Sequence, residues 1–389
     1  MTKNKSWCLD GVLKLEFFVS LFFITSLFTA CSNNNYSEIV EIEHVVDASV
    51  LDRADPTPNF QAMLASFFKQ DDLYCMTFHG NFDELLDYHH QKIMEYFKQL
   101  EELERDSLHC SLFTYLDKSN KMYLGRNFDN RDTEVLIGLF LPDSGFASIG
   151  FVPLIEFKFD KQHPFDPASG NHRKLLLHSP VTTVDGLNEK GVVVTVASVR
   201  KEEVQPDTAK TYRFLLHLQR NILDHAFDVQ SAIDIASRFN VFDNSKHTIA
   251  HHLLIADASG QSVVLEWHEG KMRIIENSST WQIATNTKMF GKSDEELSRA
   301  CNRFSRIYSR LKNSPDTLSW QQGMDALRSA KQVNKTYYFD SGAMRISTQW
   351  SALFNISDRT VYVCTNRNYD RVYRFELHEK AFYRPTKNE

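Results

Sequence analysis

The chain has 389 residues, of which 42% are hydrophobic and 24% charged, the proportions of a globular protein with a sizeable core. A net charge of -6 offers no basic surface for nucleic acid, so we exclude nucleic acid as a partner. The six cysteines are irregularly spaced and include no CxxC pair. We therefore expect neither a disulfide framework nor a metal site, and no cofactor.

Residues 1–31 have the pattern of an export signal. A start containing Lys3 and Lys5 is followed by a mostly apolar run from Phe17 to Phe28, which is too short to span a bilayer. The run ends in Ala30-Cys31, and this ending resembles the cleavage box of bacterial lipoproteins. The resemblance implies an acylated Cys31 and a protein held by lipid at a membrane of the bacterial cell envelope. A plain signal peptide or a poor membrane anchor is the alternative.

Two segments precede the first strong β pattern. Residues 32–58 are polar and lack periodicity, which predicts a flexible tether. Residues 59–109 are predicted to form a helical, propeptide-like segment with helices over Asn59–Gln70 and Phe82–Glu104. In the second of these, apolar residues recur at steps of three and four.

The pattern changes at Cys110. A β-rich run over Ser111–Leu116, turn residues at 117–120 and a second run over Lys121–Leu124 predict a hairpin with Cys110 at the head of its first strand. The further predicted strands are Val135–Leu141, Val192–Val199, His252–Asp257, Val263–Trp267, Met272–Glu276, Thr360–Cys364 and Val372–Leu377. The further predicted helices are Thr208–Asp224, Val229–Phe239, Asp294–Leu311 and Trp320–Ala330. Because strands and helices arrive in runs, we predict an α+β fold of stacked sheets covered by helices.

Arg126 and Asp129 lie where the second strand of the hairpin ends. The start of one hairpin strand faces the end of its partner, so both side chains should lie beside Cys110. An arginine stabilises a nearby thiolate, and a carboxylate can orient an amine or a substrate N–H. The three residues together indicate an activated cysteine.

The segments around this cysteine closely resemble those of linear-amide hydrolases. That group includes choloylglycine (bile salt) hydrolases, acid ceramidase and its N-acylethanolamine-amidase relative, and penicillin-forming acyltransferases. The likeness runs from about Cys110 to Leu377. Its segments are Cys110-Ser111-Leu112-Phe113, Tyr123 to Asp129, Gly186 to Val192, Ala284-Thr285-Asn286, Asn302-Arg303-Phe304, Trp350 to Phe354 and Thr360-Val361-Tyr362.

The resemblance implies a four-layer αββα sandwich, the N-terminal-nucleophile (Ntn) hydrolase fold, over residues 110–389. It also implies cleavage between His109 and Cys110, which frees the α-amine of Cys110 as a general base for its own thiol. By the same resemblance Asn286 stabilises the oxyanion, while Arg126, Asp129 and Arg303 complete the site. The implied substrate is a small N-acyl amide, either hydrolysed or used for acyl transfer.

One position departs from the family pattern. Bile salt hydrolases have an asparagine where this chain aligns Ser198, so Ser198 is retained as a substrate-binding position while bile-salt specificity is disfavoured. Two other functions stay open: an inactive surface lipoprotein that binds an acyl or bile-acid-like ligand, and a Cys-His protease using a distant histidine such as His252. The pairs His89-His90 and His251-His252 are predicted to be structural, since adjacent side chains point apart.

Overall fold

The computed structural model describes residues 36, 38–42, 59–96, 109–243, 245, 247–313, 318–339 and 342–377. The strands are β1 (Glu38–Ile42), β2 (Phe68–Gln70), β3 (Leu73–Gly80), β4 (His109–Leu116), β5 (Met122–Asn130), β6 (Val135–Pro142), β7 (Ser148–Pro153), β8 (Asp185–Asn188), β9 (Val192–Glu203), β10 (Thr211–Phe214), β11 (Phe239–Phe242), β12 (Thr248–Asp257), β13 (Ser262–His268), β14 (Lys271–Glu276), β15 (Trp281–Ala284), β16 (Lys335–Phe339), β17 (Gly342–Asn355), β18 (Thr360–Thr365) and β19 (Arg371–Glu376). The helices are α1 (Phe60–Ala65), α2 (Phe82–Tyr96), α3 (Gly170–Leu175), α4 (Leu215–His225), α5 (Val229–Ser237), α6 (Asp294–Ala300), α7 (Asn302–Asn313) and α8 (Trp320–Ala330).

Two large sheets form the centre of the molecule. The first sheet has the order β1-β19-β18-β17-β5-β4-β15, with β16 paired to β17. The second has the order β14-β13-β12-β9-β8-β7-β6-β3-β2. Helices α7 and α8 pack on the first sheet, α4 and α5 pack on the second, and β4 packs against β9 between the sheets. The predicted α+β fold with four αββα layers is therefore confirmed.

The central strands of the second sheet are largely buried and mostly apolar because both of their faces are covered. All eight residues of β6 are buried, as are the first eight of β9. A continuous apolar run is the expected pattern for a strand enclosed between a second sheet and a helix layer. In the first sheet the hairpin β4–β5 lies between β17 and β15, and β4 faces β9 of the second sheet.

The segment before Cys110 is not purely helical. Helix α2 begins at Phe82 as predicted, but Leu73–Gly80 forms β3, which pairs with β6 in parallel over its whole length and lies next to β2. The predicted helix over Asn59–Gln70 ends at Ala65. The prediction of a helical propeptide-like segment is therefore wrong for β2 and β3, because a buried apolar strand and a buried helix have similar local patterns.

The predicted tether over residues 32–58 also needs correction. Glu38–Ile42 forms β1, an edge strand that pairs with β19 in parallel. Its neighbour in the sheet lies more than 300 residues further along the chain, so no local sequence pattern predicts this strand. Cys31 and the predicted signal lie outside the described residues.

Helix boundaries follow the capping residues. Helix α8 spans the predicted Trp320–Ala330, with Ser319 and Gln322 forming a capping box at its start. The helix predicted over Asp294–Leu311 is divided at Cys301 into α6 and α7. The helix predicted over Thr208–Asp224 starts only at Leu215, because Thr211–Phe214 forms β10. Among the described residues, no helix is both long and apolar enough to cross a membrane.

Candidate active site

Cys110 is the second residue of β4 and is fully buried. The register of the hairpin sets Cys110 opposite Phe128 and His109 opposite Asp129, while Arg126 stands opposite Leu112. The sequence-based prediction that the end of β5 faces the head of β4 is therefore correct.

The main chain of Cys110 is held on both of its sides. Its N–H donates to Oδ1 of Asn286 at 2.8 Å, and its carbonyl accepts from Nη1 of Arg303. The same guanidinium donates to Oδ2 of Asp129 at 3.3 Å and, through Nη2, to Oδ1 of Asn286 at 2.7 Å. Arg303 thus joins β4, β5 and the loop after β15, three elements that are distant in the sequence.

The thiol of Cys110 is kept in its neutral form by burial. Burial raises the pKa of this thiol to about 11, although Arg126 acts to lower it. The guanidinium of Arg126 lies 2.5 Å from Oδ2 of Asp185 and donates to the Val196 carbonyl at 2.9 Å. Arg126 is therefore a buried cation between the thiol and the second sheet.

Asp129 is a buried carboxylate with two polar partners. Burial raises the pKa of this carboxyl to about 6, opposed by Arg303 and by a hydrogen bond from the Thr348 hydroxyl. The hydroxyl of Thr348 lies 2.5 Å from Oδ1 of Asp129, and Arg303 binds Oδ2. At neutral pH the carboxylate can therefore orient a cation or an amine beside Cys110.

His109 continues β4 on the other side of the proposed scissile bond. Its ring stacks on that of Tyr337 in β16, with centroids 4.0 Å apart. Burial, together with Arg303, lowers the pKa of His109 to about 4, so the ring is neutral in the uncut chain. The bond between His109 and Cys110 is thus fixed within a strand.

Ser198 approaches the site through its backbone. The Ser198 carbonyl accepts from Nδ2 of Asn286 at 2.7 Å, whereas the Ser198 hydroxyl is hydrogen-bonded to Nε2 of His251 at 2.9 Å. The side chain that was predicted to bind substrate thus has a partner inside the protein.

The neighbouring histidines have different partners, as expected of adjacent strand residues. Nδ1 of His251 bonds to Asp243, and Nδ1 of His252 bonds to Glu266, which also accepts the N–H groups of Met289 and Phe290. The charged groups that shift the pKa of the Cys110 thiol are Arg126, Asp129 and Asp185. The Cys-His protease hypothesis therefore receives no support from this geometry.

Sequence reasoning missed several residues that complete the site. Asp185 is the buried partner of Arg126, and Thr348 binds Asp129. Asp185 stands directly before the Gly186–Val192 segment that resembles the family. Arg126 was predicted to lie beside Cys110 without a named counter-charge, and a search for one could have led to Asp185. Thr348 carries no comparable signal, because only the pairing of β17 with β5 brings it to Asp129.

Comparisons with known proteins identify related sequences and structures. A model of the family described as acyl-coenzyme A:6-aminopenicillanic acid acyl-transferase matches residues 115–370. Penicillin V acylase from Pectobacterium atrosepticum is 27% identical over 241 residues, which are 53% of this chain and 61% of that protein. The chain therefore spans less than two thirds of the length of this relative.

Solved structures share the fold at low sequence identity. Penicillin V acylase from Agrobacterium tumefaciens has a TM-score of 0.50 and 17% identity, covering 70% of this chain and 88% of that one. Conjugated bile acid hydrolase from Clostridium perfringens has a TM-score of 0.50 and 12% identity, covering 71% of this chain and 95% of that one. With a family match over more than half of its length, this chain belongs to the acyl-coenzyme A:6-aminopenicillanic acid acyl-transferase family.

Proposed function

We propose that this protein is a self-processing cysteine amidohydrolase that cleaves linear C–N amide bonds of N-acyl substrates. The observation that carries the proposal is the placement of Cys110. Asn286 and Arg303 bind its main chain on either side, while Arg126 and Asp129 act on its thiol. A buried cysteine with only a packing role needs none of these four partners.

Processing begins in the uncut strand. The sulfur of Cys110 attacks the carbonyl carbon of His109, and the C–N bond between the two residues breaks as its nitrogen gains a proton. The His109 acyl group then sits on sulfur as a thioester. Water hydrolyses the thioester, giving a carboxylate on His109, a free thiol and an α-amine on Cys110.

Turnover uses the new amine. With a reference pKa of about 7.7–8.0, the α-amine takes the thiol proton near neutral pH, and the sulfur attacks the amide carbonyl of the substrate. The amide group of Asn286 stabilises the oxyanion, a contribution of roughly 3 kcal/mol per donor in comparable sites. The protonated amine then gives its proton to the leaving nitrogen, and water cleaves the acyl-thioester.

The remaining residues adjust charge and position. Arg126 favours the thiolate, because it is a buried cation next to the buried sulfur. Asp129 lies opposite His109 in the hairpin, where its carboxylate can hold the newly formed ammonium group of Cys110. Arg303 holds the carbonyl of Cys110 and the amide of Asn286 in one plane of contacts.

The relatives support an N-acyl substrate. One is named for penicillin V, and the matching family for acyl transfer to 6-aminopenicillanic acid. In the acyl-transfer variant of the proposal, an amine replaces water in the second half-reaction and attacks the same thioester.

Intact-mass analysis tests the proposal. The active protein should contain a fragment that begins at Cys110, and it should release amine from a panel of N-acyl amides that includes penicillins. Cys110→Ala should remain one chain and release none. Cys364→Ala is the matched control, because Cys364 is also buried in the first sheet but lies on β18, away from the site.

Two results would contradict the proposal. Full activity of an uncut chain would refute the α-amine mechanism, because the uncut chain has no free α-amine on Cys110. An uncut chain that binds acyl ligands without turnover would instead favour the ligand-binding lipoprotein.

We also propose that lipid on Cys31 anchors the protein. At most about 3.6 Å per residue separates Cys31 from β1, so the anchored sheet would lie within about 25 Å of the lipid. Cys31→Ser should move the protein from the membrane fraction to the soluble fraction and leave amide hydrolysis unchanged.

A further inference from the structure

Three residues next to the site form a hydrogen-bonded chain that the mechanism above does not use. The Ser198 hydroxyl lies 2.9 Å from Nε2 of His251, and Nδ1 of His251 lies 2.5 Å from Oδ2 of Asp243. All three are buried. A carboxylate can only accept, so Nδ1 of His251 donates to Asp243, and Nε2 of the same ring is the atom that bonds to the Ser198 hydroxyl. We call Ser198, His251 and Asp243 the Ser198 relay.

The Ser198 relay lies where the pairing of β9 with β12 is irregular. His251 stands opposite Ser198, but Ile249 stands opposite Glu202, so residues 199–201 of β9 face Ala250 alone. An interrupted ladder leaves the backbone with fewer hydrogen bonds to fix it, and such irregularities often lie next to active sites. Oδ2 of Asp243 also accepts the N–H of Ala250 at 2.7 Å. The relay therefore supports the irregular part of the strand pair through side chains.

The backbone that the relay supports is in contact with the proposed oxyanion donor. The carbonyl of Ser198 accepts one N–H of the Asn286 side chain at 2.7 Å. Oδ1 of Asn286 accepts from Cys110 and from Arg303. Oδ1 of Asn286 thus accepts from two donors, and Nδ2 donates to a carbonyl. Together these bonds fix the orientation of the amide group.

We propose that the Ser198 relay is a positioning device that sets the orientation of the Asn286 amide for catalysis at Cys110. This inference rests on the proposed function. Oxyanion donors act through being held in place before the reaction, so the position of the Ser198 carbonyl affects kcat. Without the hydroxyl of Ser198 the carbonyl is less well fixed beside the irregular pairing. Asn286 then faces the oxyanion in only part of the population.

The test compares Ser198→Ala with Ser198→Thr in the processed protein. Because loss of an oxyanion donor costs about 10²–10³ in kcat, we expect a loosened one in Ser198→Ala to cost about tenfold, with KM changed by less than about twofold. Ser198→Thr keeps the hydroxyl and should restore kcat. Asp243→Asn should lower kcat as well. The double variant Ser198→Ala/Asp243→Asn should have a kcat no lower than that of the less active single variant, because both substitutions interrupt the same relay.

Ser259→Ala is the matched control. The Ser259 hydroxyl donates to Asp257 at the far end of β12, so its loss removes the same type of bond without contact to Asn286. This variant should keep kcat. Melting temperatures of all variants show whether each protein is folded.

A crystal structure of Ser198→Ala supplies a readout that does not depend on turnover. In it the Asn286 amide should be rotated or should occupy two conformations. A wild-type kcat in Ser198→Ala, or an unmoved Asn286, would overturn the positioning role while leaving the amidohydrolase proposal intact. Conversely, wild-type protein with no Cys110-dependent turnover would refute the proposed function, and the crystal structure alone would then decide the relay. Ser198-dependent turnover in Cys110→Ala would make Ser198 a nucleophile and overturn the relay as described.

Discussion

Arg303 donates a hydrogen bond to the carbonyl of Cys110, the residue whose amide is bound by Asn286. The guanidinium also bonds to Asn286 and to Asp129, so a single planar group connects Cys110 with both of these side chains. Such a fork of donors fixes distances between its acceptors, which a point charge cannot do. Arg303 is therefore the residue on which the geometry of the site depends most.

Replacement of Arg303 by lysine should impair both processing and turnover. An ammonium group keeps the charge but has its donors on one atom and not on a planar fork, so it cannot reproduce the geometry of the bonds to Cys110, Asp129 and Asn286, and we expect both rates to fall about 10²-fold or more. Processing is measured by the fraction of cleaved chain over time. Arg306→Lys, three residues along the same helix and bonded to the Ser329 carbonyl at the surface, should behave as wild type. Equal rates for the two variants would refute this importance of Arg303.

The rate of processing should depend on the ionisation of Asp129. Burial raises the pKa of Asp129 to about 6, so the carboxylate that pairs with Arg303 is present above this pH and lost below it. We expect the rate to fall by about tenfold per pH unit below pH 6. His109, with its pKa lowered to about 4, stays neutral over this range. Purified uncut protein followed by mass spectrometry from pH 4.5 to 8 gives the profile, and Asp129→Asn should lack the inflection near pH 6.

Asp185 should be important for stability. Its carboxylate is the counter-charge of Arg126, and both side chains are fully buried. Asp185→Asn leaves the buried guanidinium without its counter-charge, which should lower the free energy of unfolding by about 3–5 kcal/mol. Denaturant unfolding at pH 8 measures this value. Lys121→Ala removes an exposed pair with Asp358 and should cost less than about 1 kcal/mol. Similar losses of unfolding free energy in the two variants would show that the buried pair contributes no more to stability than the exposed one.

The fragment before Cys110 should stay bound after cleavage. Its strand β3 pairs with β6 over eight residues and is buried, so separation would expose a long apolar edge of the second sheet. We expect processed protein to run as two bands under denaturing conditions and as one species in gel filtration. Elution of the fragment on its own would contradict the described pairing.

Local sequence patterns correctly predicted those features of the fold that depend on interactions between residues close together in the chain. Hairpin chemistry correctly placed Arg126 and Asp129 near Cys110, and the predicted helix over Trp320–Ala330 coincides with α8. Asn286 and Arg303 came from resemblance to known enzymes. Asp185 and Thr348 could not be found in this way, since their roles arise from contacts between elements far apart in the chain. The strand β3 was missed for a related reason: its apolar run fits a helix equally well until β6 is beside it.

The parallel pairing of β1 with β19 has a consequence for biosynthesis. Glu38 stands next to Arg371, and the two residues are 333 positions apart in the chain, so nearly all of that length must be translated before the neighbour of β1 exists. At roughly 5–20 residues per second this takes on the order of tens of seconds. Among the described strands β19 is the neighbour of β1, so the sheet that holds Cys110 cannot be completed until β19 has been synthesised.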